Sequence, residues 1–329
     1  MVKKKISVKN KLKSKNPKLT SKVKYNNLEY PYYSLEVQLR KIKKDFEKLK
    51  KYKPKLIPKK KNELLAIEEN YEKDKDLYLI TDYFSQYCRV RCKRDKYSPL
   101  EFFQKNKEKI YEKIKKEGEM NLGNIREEIY YNYKQCTNFN VTIVMTVLNY
   151  FRPKKWLDFS AGWGDRLVGA IAFNCLYTGV DPSNCMKPIY KKIIDNLARK
   201  KDRKNFNIIH DGFEKVKIKS NEYDLVFTSP PFFSLERYED NEKQSIEQFK
   251  TLEEWKTNFL YPCLNKSYEA LKLNGYLALY ITDFKDNKYI SDMKKYIQSN
   301  IKGLKYNGTI SWINKGLKSK RLIFVWKKT

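Results

Sequence analysis

The chain is 329 residues long and 41% apolar, with 70 lysines and arginines against 39 aspartates and glutamates, a formal net charge of +31. That length accommodates a full catalytic core with an added module. The charge exceeds what solubility needs and points to a polyanionic partner, nucleic acid first, while no run is long and apolar enough to span a membrane or to act as a secretory segment.

Residues 1–26 are lysine-rich with few large apolar groups and are expected to form a basic disordered tail. Residues 1–62 hold 22 Lys/Arg and 4 Asp/Glu, so more than half of the net charge precedes any enzyme core. A solubilising or AT-rich codon bias is the alternative source of that excess, since Lys, Asn, Tyr and Ile all abound. Ser34 is placed to cap a helix whose one face carries Leu35, Leu39, Ile42, Phe46 and Leu49 and whose other face is nearly all lysine. Segment 63–97 brings Arg89, Arg91, Lys93, Arg94 and Lys96 beside several tyrosines, a mixture that fits phosphate contact with base stacking, or an ordinary solvated surface. Ser98-Pro99 opens a helix to about residue 116, and further helices are expected at 124–134 and 139–151. Cys88 and Cys92 lie four apart among six scattered cysteines, but with His210 the only histidine no metal site is expected. A reducing, intracellular setting follows from that scatter.

From residue 155 short apolar runs alternate with amphipathic segments. Strands are expected at 155–159, 176–180, 206–209, 223–227, 276–281, 304–313 and 322–326, with helices at 165–174, 185–200, 250–272 and 286–301. This alternation predicts an α/β fold: a Rossmann-like, mostly parallel seven-stranded sheet with helices on both faces. The last two runs leave no room for a helix and form a C-terminal β-hairpin. A basic helical N-terminal region precedes the sheet.

The strand ends carry the chemistry. Asp158-Phe159-Ser160-Ala161-Gly162-Trp163-Gly164 turns the first strand into a helix, and its glycines permit close approach of a ligand to the backbone. Asp181 ends the second strand, where a carboxylate can accept from two ribose hydroxyls, and Asp211 ends the third, where it can accept from an adenine amine. Taken singly, each acid also fits a helix cap or a surface charge. The fourth strand runs into Ser229-Pro230-Pro231-Phe232. Two prolines fix the backbone and leave carbonyls free to accept, which with a hydroxyl and an aromatic ring fits a planar amine. A dinucleotide site is the competing use of such a turn, but Leu167 stands where its third glycine belongs.

These residues, in this order, resemble class I S-adenosylmethionine-dependent amino-methyltransferases of the DNA N6-adenine/N4-cytosine type, and the composition resembles that of viral, phage or AT-rich microbial proteins. The resemblance covers about 135 to 329. It implies S-adenosylmethionine as cofactor, held by Asp158, Ala161, Gly162 and Gly164, by Asp181 at the ribose and Asp211 at the adenine. Thr137 and Phe139, in a Cys136-Thr137-Asn138-Phe139 segment like the family's accessory segment, would close over the cofactor carboxylate. It implies Ser229 Oγ and the Pro230 carbonyl as acceptors for the amine, Pro231 as their support and Phe232 as a stacking face. Phe233, Arg237, Arg89, Arg91 and Arg94 are the expected substrate contacts. Three units follow: a tail at 1–26, a basic helical region for substrate contact at 27–135, and a methyltransferase domain at 136–329. The loop from 234 to about 248 is too short for a target-recognition domain, so DNA is favoured while RNA, a catalytically silent nucleic-acid-binding subunit and a protein amide stay open as alternatives. Adenine or cytosine, and the oligomeric state, are equally open, and the expected location is a cytoplasm, of a host or bacterium, or a viral factory.

Overall fold

A computed structural model describes residues 25–238, 242–284, 287–316 and 320–329. The expected basic tail lies almost wholly outside the described residues. In chain order the helices and strands are Leu39–Leu49 (α1), Lys55–Leu56 (β1), Glu63–Glu69 (β2), Tyr71–Arg89 (α2), Pro99–Glu117 (α3), Leu122–Asn132 (α4) and Val141–Phe151 (α5), followed by Lys155–Asp158 (β3), Asp165–Phe173 (α6), Leu176–Val180 (β4), Met186–Leu197 (α7), Phe206–Ile209 (β5) and Tyr223–Thr228 (β6). Ser245–Gln248 (α8), Leu252–Trp255 (α9), Tyr261–Ala270 (α10), Leu271–Tyr280 (β7), Ile290–Asn300 (α11), Leu304–Asn314 (β8) and Arg321–Lys328 (β9) complete the chain.

One sheet runs through the molecule in the order β1-β2-β8-β9-β7-β6-β3-β4-β5. Strands β2, β8, β7, β6, β3, β4 and β5 point one way, while β9 runs antiparallel between β7 and β8, and β1 antiparallel to β2. The mostly parallel α/β sheet and its C-terminal hairpin are as expected. The sheet has nine strands rather than seven, because residues 55–69 of the region expected to be helical add two. β2 pairs in parallel with β8, from Glu63 opposite Thr309 to Glu69 opposite Asn314. Its partner lies more than 240 residues away, so periodicity within the N-terminal region carried no sign of it. The helix expected at Ser34 begins instead at Leu39, after a short 3-10 turn at Tyr33–Leu35.

The region 27–135 shares its core with the sheet. Ile42, Phe46 and Leu49 of α1 and Ile80 of α2 are buried in the same apolar cluster as Trp156, Leu225 and Val325. At about 1.5–3 kcal/mol for each large apolar side chain buried, this face decides how α1 sits, and its lysines are left on the outside. Helix α5 has no polar side: Val141 through Leu148 are all buried, as befits a helix covered by neighbours all round. A second cluster under α10 and α11 covers the other sheet face, and Tyr30, Phe103, Ile114 and Ile125 form a third beneath α3 and α4.

Two disulfides correct the reading of the cysteines. Cys88 is bonded to Cys185 and Cys92 to Cys136, with Cα atoms 5.8 and 6.2 Å apart, while Cys175 and Cys263 are free and buried. Among the described residues no helix is long and apolar enough to cross a membrane.

Candidate active site

The chain passes from β3 outward to β5 and then returns to place β6 on the other side of β3. Ligands in such sheets bind beyond the carboxyl ends of the strands at this point of reversal. A cavity of about 430 Å³ opens there, with Ser160, Gly162, Asp181 and Phe213 at one end, and Ser229, Phe232, Tyr280 and Trp312 at the other.

Asp158, at the end of β3, is fully buried. It accepts from Arg166 Nε at 2.8 Å, Tyr177 Oη at 2.7 Å and Thr228 Oγ1 at 2.7 Å, and Arg166 also donates to the Ser160 carbonyl. The carboxylate thus ties β3, β4, β6 and α6 together. It does not line the cavity, which corrects its assignment as a direct ligand; it holds the turn that does. In that turn Gly162 and Gly164 have φ of 59° and 93°, a region costly for residues with a Cβ. A Cβ at Gly164 would also lie 2.7 Å from Ile193 Cδ1. Ala161 donates its N–H to the Val180 carbonyl at 3.0 Å and so helps build the turn; neither Ala161 nor Gly164 lines the cavity.

Asp181 faces the cavity from the end of β4, accepting from Gly162 N at 2.8 Å and Ser183 N at 3.0 Å. Burial raises its pKa to about 6 against these two N–H groups, which favour the charged form. Asp165, the first residue of α6, also lines the cavity. Burial pushes its pKa up to about 7, and its Oδ1, like Asn138 Oδ1, is buried without a hydrogen-bond partner. Sequence reading passed over both. An acid at a helix start is ordinarily explained by the helix dipole, and Asn138 stands between the two residues of its segment that were singled out.

At the other end Phe139, Phe232, Tyr280 and Trp312 form a wall of rings. Phe139 lies 5.3 Å from Tyr280 and 6.0 Å from Trp312, and Tyr280 lies 5.7 Å from Phe232, centre to centre. Residues Leu235, Glu236 and Tyr238 line the cavity from the loop after β6. That loop is anchored: Lys93 and Arg237 exchange backbone hydrogen bonds at 2.9 and 2.8 Å.

No protein-family model matches the chain, and no curated protein sequence matches it. Among solved structures it is similar to TrmN from Thermus thermophilus, at 13% identity over 58% of this chain and 49% of that one, with a TM-score of 0.43. It thus spans about half the length of that protein. It is also similar to the glycopeptide N-methyltransferase MtfA complexed with sinefungin (9% identity, 57% and 93% of the two chains, TM-score 0.41). A third is a TehB-like SAM-dependent methyltransferase from Corynebacterium glutamicum (15% identity, 56% and 87%, TM-score 0.37).

Of the remaining expected site residues, Thr137, Phe139, Gly162, Asp181, Ser229, Pro231, Phe232 and Arg94 line the cavity, whereas Pro230, Phe233 and Asp211 do not. Asp211 instead accepts from Gly212 N at 2.9 Å and pairs with Lys243 at 3.5 Å; Gly212 and Phe213 supply the wall where it was expected. Phe233 packs on Trp255, 6.0 Å between rings. The arginines are corrected most. Arg89 is buried, bound to both Asp82 oxygens at 2.7 and 2.9 Å and to the Cys136 carbonyl at 3.0 Å, so it holds α2 to the cavity wall and cannot reach a phosphate. Arg91 pairs with Glu29 at 2.5 Å and lies over the Tyr87 ring, and Arg237 pairs with Glu247. Arg94 faces Glu236 at 3.8 Å.

Proposed function

We propose that this protein is an enzyme that transfers the methyl group of S-adenosylmethionine to the exocyclic amine of a nucleobase in nucleic acid, with DNA favoured. The observation that carries this reading is a single cavity joining two sets of groups at the reversal point of the sheet. One end holds Asp181 and the buried, unpartnered acceptors of Asp165 and Asn138; the other holds Ser229, Pro231, Phe232 and the ring wall.

The donor set fits the cofactor. Asp181 is placed for ribose hydroxyls, Phe213 for a ring face, and the Asn138 and Asp165 oxygens for an ammonium group. When bound, S-adenosylmethionine supplies a methyl on sulfur that departs as a neutral thioether. Delocalisation into the ring makes a nucleobase amine a poor nucleophile. Ser229 Oγ, which lines the cavity, accepts from its N–H, turns its lone pair toward the cofactor end and stabilises the charge that develops on nitrogen. One N–H proton is lost to water after the N–C bond has formed. Phe232 offers a stacking face to a base that is unpaired or flipped out, and the net charge of +31 supplies attraction to phosphate.

The test is incubation with methyl-labelled cofactor and separate DNA and RNA pools, then nucleoside mass spectrometry. Label is expected on an amino nitrogen; label on a ring carbon or a ribose oxygen, or none at all, overturns the reading. Ser229→Ala is expected to lower kcat by about 10²- to 10³-fold, as loss of one transition-state hydrogen bond does elsewhere, with cofactor binding retained.

Cofactor affinity should rise with pH. Asp181 and Asp165, with pKa values near 6 and 7, must shed their protons before they can act as anionic acceptors. Calorimetric titration from pH 6 to 8 is expected to show about tenfold or greater tightening. Asp165 is flanked by Thr81, Asp82, Arg166 and Arg89; Asp165→Asn is expected to remove the limb near 7 and leave that near 6. The free protein changes in the opposite sense. Both carboxyls have pKa values raised by folding, so their contribution to stability is lost as pH climbs from about 4 to 7. A flat affinity profile would show that neither acid meets the cofactor.

A further inference from the structure

The spacing of Cys88 and Cys92 predicts no metal site, yet the fold gives Cys92 other company. Cys92, three residues past α2, Cys136, in the segment before α5, and Glu236, in the loop after β6, bring two sulfurs and a carboxylate oxygen within 4.8 Å of one another. Both cysteines are fully buried, and the Glu236 side chain is 12% exposed. Among the described residues no acid or histidine joins Cys88 and Cys185 in this way. The three positions are held by contacts that do not need the Cys92–Cys136 bond. Lys93 and Arg237, the neighbours of Cys92 and Glu236, exchange backbone hydrogen bonds at 2.9 and 2.8 Å. Arg89 Nη1 donates to the Cys136 carbonyl at 3.0 Å, and Arg94 Nη1 to the Gln135 carbonyl at 3.3 Å. Arg94 also faces Glu236 at 3.8 Å, beyond hydrogen-bond length, and its Nε is buried without a partner. Tyr238 hydrogen-bonds to the Glu236 carboxylate.

We infer that Cys92, Cys136 and Glu236 form a zinc site that takes the place of their disulfide when the protein is reduced. The exchange balances. A dithiol supplies two electrons and two protons, the Cys92–Cys136 bond breaks to two thiols, and the reductant leaves as its own disulfide. Zinc then displaces the two thiol protons. Two thiolates and a carboxylate suit this borderline-soft ion, whereas magnesium and calcium take oxygen sets. On one tetrahedral zinc the sulfurs stand about 3.8 Å apart and about 3.5 Å from the carboxylate oxygen, spacings reached by side-chain rotation within the cluster. Water fills the fourth position. The occupied site carries one net negative charge, which the Arg94 guanidinium offsets, and Arg94 Nε gains a thiolate or carboxylate to donate to. The disulfide ties the end of α2 to the segment that carries Asn138. Zinc ties both of these to the loop after β6 as well, where Leu235, Glu236 and Tyr238 line the cavity, so the reduced protein keeps that wall in place.

The test needs no methyl transfer. Full-length protein is reduced with a dithiol in the presence of a chelator, freed of both by anaerobic gel filtration, and titrated with zinc chloride alone and, separately, with cobalt chloride. One zinc per chain is expected, with a dissociation constant of about 0.1 µM or tighter, and none in the oxidised protein. Cobalt should show thiolate-to-metal charge transfer and the strong visible bands of a four-coordinate site. Zinc should raise the unfolding midpoint of the reduced protein by mass action and leave that of the oxidised protein where it is. Glu236→Gln keeps both thiols and the disulfide, and is expected to weaken zinc binding by about tenfold or more. The pair Cys92→Ser with Cys136→Ser should abolish it. No zinc on the reduced protein, equal uptake by the oxidised protein, or cobalt without thiolate charge transfer overturns the site. So does zinc retained by the serine pair, which would place it on Cys88 and Cys185, or an affinity unchanged in Glu236→Gln, which would remove the third ligand.

Discussion

Asp158→Ala is expected to destabilise the protein by about 3–5 kcal/mol and to abolish cofactor binding, the largest effect of any single substitution at the site. The magnitude follows from what the change leaves behind. Arg166 is 4% exposed, and a buried ion-pair partner left alone costs about that much. Tyr177 Oη and Thr228 Oγ1 lose the same acceptor. Because the four groups come from β3, α6, β4 and β6, the loss is not confined to one loop: the Gly162 turn and the strand end that carries Ser229 move independently once it is gone. Asp158→Asn keeps an acceptor for the two hydroxyls but not the charge, and is expected to fall between wild type and alanine. Urea unfolding gives the midpoint and calorimetry the affinity. An unaltered midpoint in Asp158→Ala would remove the hub role and return Asp158 to the direct-ligand role that its place in the sequence implies.

That contrast shows what was legible in the sequence. The strand ends from β3 to β6 could be read because each is a short apolar run closed by a polar residue at a turn, and local patterns of that kind survive folding unchanged. Asp181, Gly162, Ser229 and Phe232, which line the cavity, were singled out this way. Asp158 was found but given the wrong partner, since its own strand says nothing of Arg166 eight residues on. Asp211 failed for a similar reason: a carboxylate at a strand end can turn to its own backbone and a lysine. Trp312 and Arg321, which also line the cavity, had no local signal at all, because their relation to the cavity exists only through the β8–β9 register and the parallel alignment of β8 with the central strands. The arginine cluster misled in the other direction. Basic residues among tyrosines matched a nucleic-acid surface, but Asp82 and Glu29, which neutralise two of them, are distant in sequence or lie on another turn.

Reduction of the two disulfides is the second change expected to be large. Cys88 lies in the last turn of α2 and Cys92 three residues past its end, and each is tied to a different segment beside the cavity. Cys185 adjoins Met186, and Cys136 adjoins Thr137, Asn138 and Phe139, all of which line the cavity. The bonds close loops of 97 and 44 residues, and loops of that size lose enough chain entropy in the unfolded state for each bond to contribute about 2–4 kcal/mol. Their placement adds an effect on the site: cutting both frees the segment that carries Asn138 from the one that carries Asp181, so the ligand groups at the cofactor end must be ordered by binding itself. The oxidised protein, denatured without reductant, is expected to titrate two thiols, Cys175 and Cys263, of the six cysteines present. After reduction the unfolding midpoint and the cofactor affinity should both fall. The pair Cys92→Ser with Cys136→Ser should weaken binding through Asn138, and the pair Cys88→Ser with Cys185→Ser through Asp181, which the pH profile separates, since only the second group titrates. Six thiols in the untreated protein, or an affinity indifferent to reductant, would show that helix packing alone holds the two walls together.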